Sequence, residues 1–122
     1  MVLGENCHVG TGVGIFGAFG FEAADCVGIS PGVQIFTATT DVNADCLAYH
    51  SQATFEAKPF TGRVTIGRHS CIGANAVILP GVNIGAQVQV GACAVISKSL
   101  PSQGVYVGNG KYIRDRAPLK YA

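Results

Sequence analysis

The chain has 122 residues, of which 17 are glycine, 48% are hydrophobic and only 12% are charged. Soluble domains average about 7% glycine and about 25% charged residues; five prolines and the lack of a tripeptide period exclude a collagen-like or a disordered low-complexity chain. The net charge of +1 gives no electrostatic reason to expect nucleic acid or a membrane surface as a partner.

We expect no targeting segment at the beginning of the sequence. The first residues lack the basic and apolar regions of a signal peptide, and the uncharged stretch 9–21 is too short and too rich in glycine to span a bilayer. The cysteines are odd in number and show no CxxC spacing, which favours reduced thiols over a disulfide framework or a zinc site. The sequence therefore predicts a cytoplasmic protein.

An apolar residue recurs every six positions in the first part of the chain, namely Leu3, Val9, Ile15, Phe21, Val27 and Val33. A second series with the same spacing consists of Ile66, Ile72, Ile78, Ile84, Val90 and Ile96. In the second series, glycine follows the first two members of each group of three, which makes a superperiod of 18 residues. A unit of six residues suits one short strand and a corner, and three units make a triangular coil.

This repeat predicts an all-β fold, a parallel β-helix of about four triangular coils within one domain, 1–122. The coils cover about 3–38 and 64–98. Each apolar anchor points into the prism, the small or β-branched residue two positions earlier also points inward, and the glycine after the anchor supplies the unusual backbone angles of a corner. Stacking at about 4.8 Å lets each coil pair with its neighbours.

The six-residue pattern stops between Thr39 and Arg63, in a segment that contains Asp41 and His50. Long loops inside compact domains are uncommon and are usually functional. We therefore expect an extruded loop over about 39–63, with a tolerated surface insertion as the alternative.

Positive charge is concentrated after residue 97. Residues 1–97 carry three basic and six acidic side chains, whereas the rest carries one acidic side chain, Asp115, and five basic ones: Lys98, Lys111, Arg114, Arg116 and Lys120. The sequence therefore divides into an acidic body and a basic C-terminal tail, about 99–122.

Two motifs resemble those of a known family. Residues 64–85 read VTIGRHSCIGANAVILPGVNIG and residues 105–114 read VYVGNGKYIR. Both are similar to the hexapeptide-repeat acyltransferases, in particular the O- and N-acetyltransferases of sugars and polysaccharides, over about residues 4–116. The resemblance implies a left-handed β-helix, a homotrimer, and transfer of an acetyl group from acetyl-CoA to a hydroxyl or amine of a sugar or similar small acceptor.

Transfer from a thioester requires a base that removes the proton of the acceptor, and histidine titrates in the right range. Many members of the family carry the catalytic histidine at the position of Thr40, so this chain departs from that pattern. A branch similar to sugar acetyltransferases of surface-polysaccharide pathways has Asp after Thr-Ala-Thr-x and a basic-His pair after the loop. Asp41 and Arg68-His69 match that branch.

We therefore predict His69 as the general base, with Asp41 as an orienting or acceptor-binding carboxylate. His50, in the loop, is the alternative base. Because His69 follows Ile66 by three positions, strand alternation is expected to place it on a flat outer face.

The basic tail fits the phosphates of acetyl-CoA, with Lys98, Lys111 and Arg114 as the predicted partners; a solvated basic terminus is the alternative. The resemblance also implies that backbone amides near Gly73, Ala74, Gly91 and Ala92 line the pantetheine channel. Gly110 and Lys111 depart from the family's usual Gly-Asn-Pro-Ala, which changes the turn there.

Two other functions remain open at the level of the sequence. One is a catalytically inactive β-helix that acts as a scaffold or binding module, which the absence of histidine at Thr40 favours. The other is a zinc carbonic anhydrase on a related β-helix, which would need three histidines around one metal. The histidines are far apart in the sequence, so we expect no metal.

Overall fold

The computed structural model describes residues 1–40 and 59–118, and the regular elements in these ranges are all β-strands. The first coil contains β1 (Val2–Leu3), β2 (His8–Val9) and β3 (Gly14–Phe16). The second contains β4 (Phe21–Ala23), β5 (Gly28–Ile29) and β6 (Gln34–Phe36). Next come β7 (Ala38–Thr40) and β8 (Pro59–Thr61), which pair antiparallel.

The third coil contains β9 (Val64–Ile66), β10 (Cys71–Ile72) and β11 (Val77–Ile78). The fourth contains β12 (Asn83–Ile84), β13 (Gln89–Val90) and β14 (Val95–Ile96). A partial fifth coil begins at Leu100, which bridges to Ile84, and continues as β15 (Gly104–Val107). The last strand, β16 (Lys111–Asp115), pairs antiparallel with β15.

Equivalent strands of successive coils form the three walls of a prism. Sheet A has the order β1-β4-β9-β12, sheet B has β16-β15-β13-β10-β5-β2, and sheet C has β14-β11-β6-β3. All pairings between coils are parallel. The fold is a left-handed parallel β-helix, as predicted.

The inside of the prism is filled by the apolar anchors and the residues two positions before them. From Phe21 to Ile96 these side chains are buried, and most are under 4% exposed. In the first coil, Leu3 and Val9 are 40% and 43% exposed because they lie at the end of the stack. No helix in the described ranges has the length and hydropathy needed to cross a bilayer.

The predicted register of the first series is wrong after Ile15. Leu3 pairs with Ala23, and Ile15 pairs with Ile35, so the first two coils are offset by 20 residues instead of 18. Two additional residues lie in the corner that contains Gly17 and Gly20. The anchors of the second coil are therefore Ala23, Ile29 and Ile35, whereas Phe21, Val27 and Val33 occupy the inward positions two residues earlier. Both positions face the core, so apolarity alone did not distinguish them.

The predicted role of the glycines that follow the anchors is also wrong. None of these glycines has a positive φ, and it is the third residue after the anchor that does, as Asn75 and Gln87 illustrate with φ of 59° and 58°. Glycine follows the anchor because the next coil approaches closely. A Cβ on Gly67 would lie 2.6 Å from the backbone nitrogen of Ala86.

Candidate active site

His69 lies at the corner between sheets A and B, which we call corner AB. The left-handed residues of this corner form a column along the prism, and their φ values lie between 58° and 69°: Asn6, Cys26, His69, Gln87 and Gln103. The N–H of His69 donates to the carbonyl of Asp25 in the coil below, at 3.2 Å. The side chain of His69 is half-buried.

This placement corrects the expected flat outer face for His69. Strand β9 ends at Ile66, so the alternation of a strand does not continue to residue 69. The third position after an anchor is instead the left-handed residue of a tight turn, in which the N–H of Ser70 donates to the carbonyl of Gly67. Histidine is among the residues that are enriched in this conformation.

Strand β16 adds an antiparallel edge to sheet B, above β15. The reversal between the two strands depends on Gly108 and Gly110, with φ of 56° and 83°. The N–H of Gly110 donates to the carbonyl of Val107 at 3.1 Å. Proline can neither adopt this φ nor donate this hydrogen bond. The departure from Gly-Asn-Pro-Ala at Gly110 therefore allows the chain to turn back over sheet B.

A β-bulge in β16 places two basic side chains on one face. Val105 pairs with Arg114, and Val107 pairs with Lys111, while Ile113 is the additional residue between them. Residues that pair across antiparallel strands point to the same side. Lys111 and Arg114 are three residues apart and would alternate in a regular strand; the bulge brings both to the outer face of sheet B. We call this surface the basic face.

The same bulge directs Asp115 away from the basic face. Asp115 pairs with Gly104, and Tyr112 pairs with Tyr106, both on the opposite side of the strand. The hydroxyl of Tyr112 donates to Oδ1 of Asp115 at 2.5 Å. This hydrogen bond raises the pKa of Tyr112 above its ordinary value, and desolvation and the negative charge of Asp115 act in the same direction. The acidic group of this segment is thus engaged away from Lys111 and Arg114.

Lys98 does not share this arrangement. It follows β14 of sheet C and precedes Leu100, which bridges to sheet A. Its side chain is exposed at the corner between sheets C and A, which we call corner CA. Of the three predicted phosphate partners, only Lys111 and Arg114 lie together.

The amides predicted to line the pantetheine channel divide into two kinds. The N–H of Gly73 donates to the carbonyl of Val90, and that of Gly91 donates to the carbonyl of Tyr106, both at 2.8 Å. These two amides therefore hold the coils together. Those of Ala74 and Ala92 donate to no backbone carbonyl of residues 1–40 and 59–118, so a ligand at this corner is expected to find its amide donors there.

Asp41 and His50 lie outside the described residues. The segment that contains both residues is flanked by β7 and β8. Strand β7 starts at corner CA, after sheet C, and β8 returns to the same corner before sheet A. His69 lies at the other end of sheet A. Thr40 is the last residue of β7. In the described ranges, no three His, Cys, Asp or Glu side chains are close enough to hold a metal ion.

One site residue was not singled out by sequence analysis. Arg116 contributed only to the charge of the tail, yet its Nη1 donates to the carbonyl of His69 at 2.5 Å. The contact joins the end of β16 to the third coil, a separation of 47 residues that no local pattern reveals.

Comparison with known proteins places the repeats in one family. Residues 63–98 match the family model described as bacterial transferase hexapeptide (six repeats). The galactoside O-acetyltransferase of Lactococcus lactis subsp. lactis (strain IL1403) is 31% identical over 113 residues, which cover 86% of this chain and 50% of that protein. The chain spans about half the length of the curated relatives that it matches over most of its own length.

Solved structures show the same similarity. AntD, an N-acyltransferase from Bacillus cereus, matches with a TM-score of 0.89 and 28% identity, over 96% of this chain and 64% of that one. That structure is a complex of an AntD variant with dTDP-4-amino-4,6-dideoxyglucose and coenzyme A. A maltose O-acetyltransferase from Clostridium difficile 630 matches with a TM-score of 0.65 and 27% identity, over 97% and 68% of the two chains. The resemblance to the hexapeptide-repeat acyltransferases is confirmed.

Proposed function

We propose that this chain, which carries the hexapeptide repeats of the bacterial transferases, moves an acetyl group from acetyl-CoA to a hydroxyl or amine of a sugar acceptor. The observation that carries the proposal is the position of the basic face on the same sheet whose corner presents His69. Phosphates of a coenzyme bind to clustered cations, and an imidazole that can accept the proton of the acceptor belongs beside the reacting thioester. AntD supports the choice of ligands, since its complex contains coenzyme A and an amino sugar linked to a nucleotide.

In the proposed reaction, His69 removes the proton of the acceptor as its oxygen or nitrogen attacks the thioester carbonyl. The carbonyl carbon becomes tetrahedral, and its oxygen takes the negative charge. Collapse of this intermediate breaks the carbon–sulfur bond, and the thiolate of CoA receives the proton that the imidazole has held. Lys111 and Arg114 bind the phosphates, and the amides of Ala74 and Ala92 contact the pantetheine arm.

The proposed assembly is a homotrimer in which the hairpin β7–β8 of one chain approaches corner AB of the next. Within one chain, the hairpin β7–β8 and His69 lie at opposite ends of sheet A.

Three aromatic side chains are exposed near corner CA. Phe16 at the end of β3, Phe19 in the segment that follows it and Phe60 in β8 are 45%, 53% and 43% exposed. Phe16 also stacks on Phe36, with ring centroids 4.9 Å apart. Exposed apolar surface of this kind marks protein contacts, and the number three follows from the family resemblance.

The test is release of CoA from acetyl-CoA by the whole chain, measured over a panel of hexoses, amino sugars and nucleotide-linked amino sugars. The variants are His69→Ala and His50→Ala, with His8→Ala as the matched control because β2 is the edge of sheet B opposite β16. We expect His69→Ala to be inactive and the control to retain activity. Activity in His69→Ala together with its loss in His50→Ala would assign the base to His50.

A second measurement separates the enzyme from the inactive scaffold. Titration calorimetry with acetyl-CoA is expected to give heat of binding. If the titration gives no heat and no acetyl group is transferred to any acceptor of the panel, the chain is an inactive scaffold or binding module. Sedimentation equilibrium is expected to give a mass close to three chains; a stable and fully active monomer would contradict the proposed assembly.

A further inference from the structure

Arg116 connects the fifth coil of the prism to the third along corner AB. Its backbone N–H donates to the carbonyl of Gln103 at 2.6 Å. Its guanidinium passes the level of Gln87 and reaches the carbonyl of His69, with an Nη1–O distance of 2.5 Å. The other guanidinium nitrogen lies 4.0 Å from Sγ of Cys71. One side chain therefore spans two coils and ends beside the proposed base.

The carbonyl of His69 is available because of how the column at corner AB is bonded. From the second coil upward, each left-handed residue of the column donates its N–H to the coil below. The acceptor is the carbonyl of the residue that precedes the left-handed residue of that lower coil. The N–H of Gln87, for example, donates to the carbonyl of Arg68 and not to that of His69. The carbonyl of His69 thus stays outside the ladder. A guanidinium is a charged donor, and such hydrogen bonds are stronger than those between neutral groups.

Other contacts align β16 with sheet B. Four residue pairs already align β16 with β15, and the hydrogen bond from Tyr112 to Asp115 lies within the strand. The only hydrogen bond of the Arg116 guanidinium to an oxygen within residues 1–40 and 59–118 is the one to His69. This side-chain hydrogen bond therefore ends at corner AB and not on a strand of sheet B.

We propose that Arg116 is a positioning residue that fixes the peptide group after His69 and thereby the direction of its imidazole. The inference rests on the proposed role of His69 as the base. The carbonyl and the side chain share the Cα of His69, so an anchored carbonyl limits rotation of the left-handed residue as a whole. An error of about 1 Å in the position of a catalytic group can cost about 100-fold in rate.

The test compares Arg116→Gln, Arg116→Lys and Arg116→Ala in the whole chain, with acetyl-CoA and an accepted sugar. We expect kcat of Arg116→Gln to fall about 10-fold to 100-fold, with less than about threefold change in KM for acetyl-CoA. Arg116→Lys is expected to recover part of the rate, and free guanidinium to restore part of kcat in Arg116→Ala. The matched control is Arg63→Gln. Arg63 forms an ion pair with Glu22 of sheet A, so this substitution removes one positive charge away from corner AB.

A second readout does not depend on turnover. The rate of carbethoxylation of His69 by diethylpyrocarbonate, followed by mass spectrometry with His8 as internal reference, is expected to rise severalfold in Arg116→Gln. Unchanged kcat would overturn the proposal, and so would an effect on KM alone, or lower kcat with unchanged carbethoxylation and no rescue by guanidinium. If the wild-type chain transfers no acetyl group, the proposed function fails, and carbethoxylation still decides whether Arg116 fixes the His69 corner.

Discussion

The buried hydroxyl of Ser70 accepts a hydrogen bond of 3.0 Å from the backbone N–H of Val88. The same hydroxyl donates to the carbonyl of Gly85 at 2.8 Å. Ser70 is fully buried at an inward position where most equivalents are apolar, so it joins the third and fourth coils from inside the prism. Ser70→Ala would leave the N–H of Val88 without this partner.

We expect Ser70→Ala to lower the free energy of unfolding by about 1–3 kcal/mol, the cost of an unsatisfied buried donor. Urea unfolding measures this difference. Thr65→Ala is the control, because the hydroxyl of Thr65 donates to the side chain of Asn83 on the exposed outer face. Equal stability of Ser70→Ala and the wild type would show that water replaces the lost partner.

Gly67→Ala is expected to separate two coils. Its Cβ would lie 2.6 Å from both the nitrogen of Ala86 and the carbonyl carbon of Gly85, which belong to the backbone and cannot rotate away. Overpacking of this kind costs about 1–3 kcal/mol. At Gly28, by contrast, the nearest atom to an added Cβ is Sγ of Cys71 at 3.9 Å, so Gly28→Ala should shift the thermal midpoint little. A similar loss of stability in Gly67→Ala and Gly28→Ala would contradict the explanation by close approach of the coils.

Gly110→Pro is expected to release β16 from sheet B. Proline holds φ near −65°, whereas Gly110 has φ of 83° and donates its N–H to Val107. Hydrogen exchange should then lose protection at the amides of β16 and keep it in β10 and β13. Gly110→Ala retains the N–H, and its only cost is that of placing alanine in the left-handed conformation, roughly 1–2 kcal/mol. The protection of the β16 amides in Gly110→Ala should therefore lie between that of the wild type and that of Gly110→Pro. Full protection of β16 in Gly110→Pro would refute this account of the turn.

Ionisation of Tyr112 should occur above its ordinary pKa of 10.0, since its hydrogen bond to Asp115 favours the protonated phenol. A pKa raised by folding stabilises the folded chain fully below the unfolded value, and this contribution disappears as the pH rises through the raised pKa. The difference in ultraviolet absorbance between the wild type and Tyr112→Phe isolates this titration from the other tyrosines. Asp115→Asn is expected to bring the pKa back towards 10.0; no change on this substitution would show that the hydrogen bond is absent in solution.

Lys111→Ala and Arg114→Ala should each raise KM for acetyl-CoA by about threefold to tenfold, because each loses one exposed phosphate contact. The effect should weaken as salt is added, since exposed charges are screened. Removal of the same charge in Arg63→Gln should leave KM unchanged. A similar rise in KM in all three variants would mean that net charge, and not the basic face, attracts the coenzyme.

Much of the fold follows from the spacing of apolar residues. Period six and superperiod 18 predict triangular coils, and the pairing of Cys71 with Gln89 has that offset. The error after Ile15 arose because inward positions recur every two residues along a strand, so Phe21 and Ala23 both face the core. Likewise, the sequence shows glycine after the anchors but not the close approach of the next coil that requires it.

The sequence predicts which residue types form the candidate site, but it does not predict how these residues are arranged in space. The sequence by itself determined the repeat, the basic character of the last segment and His69 as a candidate base, because these depend on spacing and composition. Only the tertiary structure decided that His69 lies on a left-handed corner, that a bulge at Ile113 brings Lys111 and Arg114 to one face, and that Arg116 reaches His69. Each of these depends on stacking of coils or pairing of strands, which bring together residues that are distant in sequence, and local periodicity carries no information about such contacts.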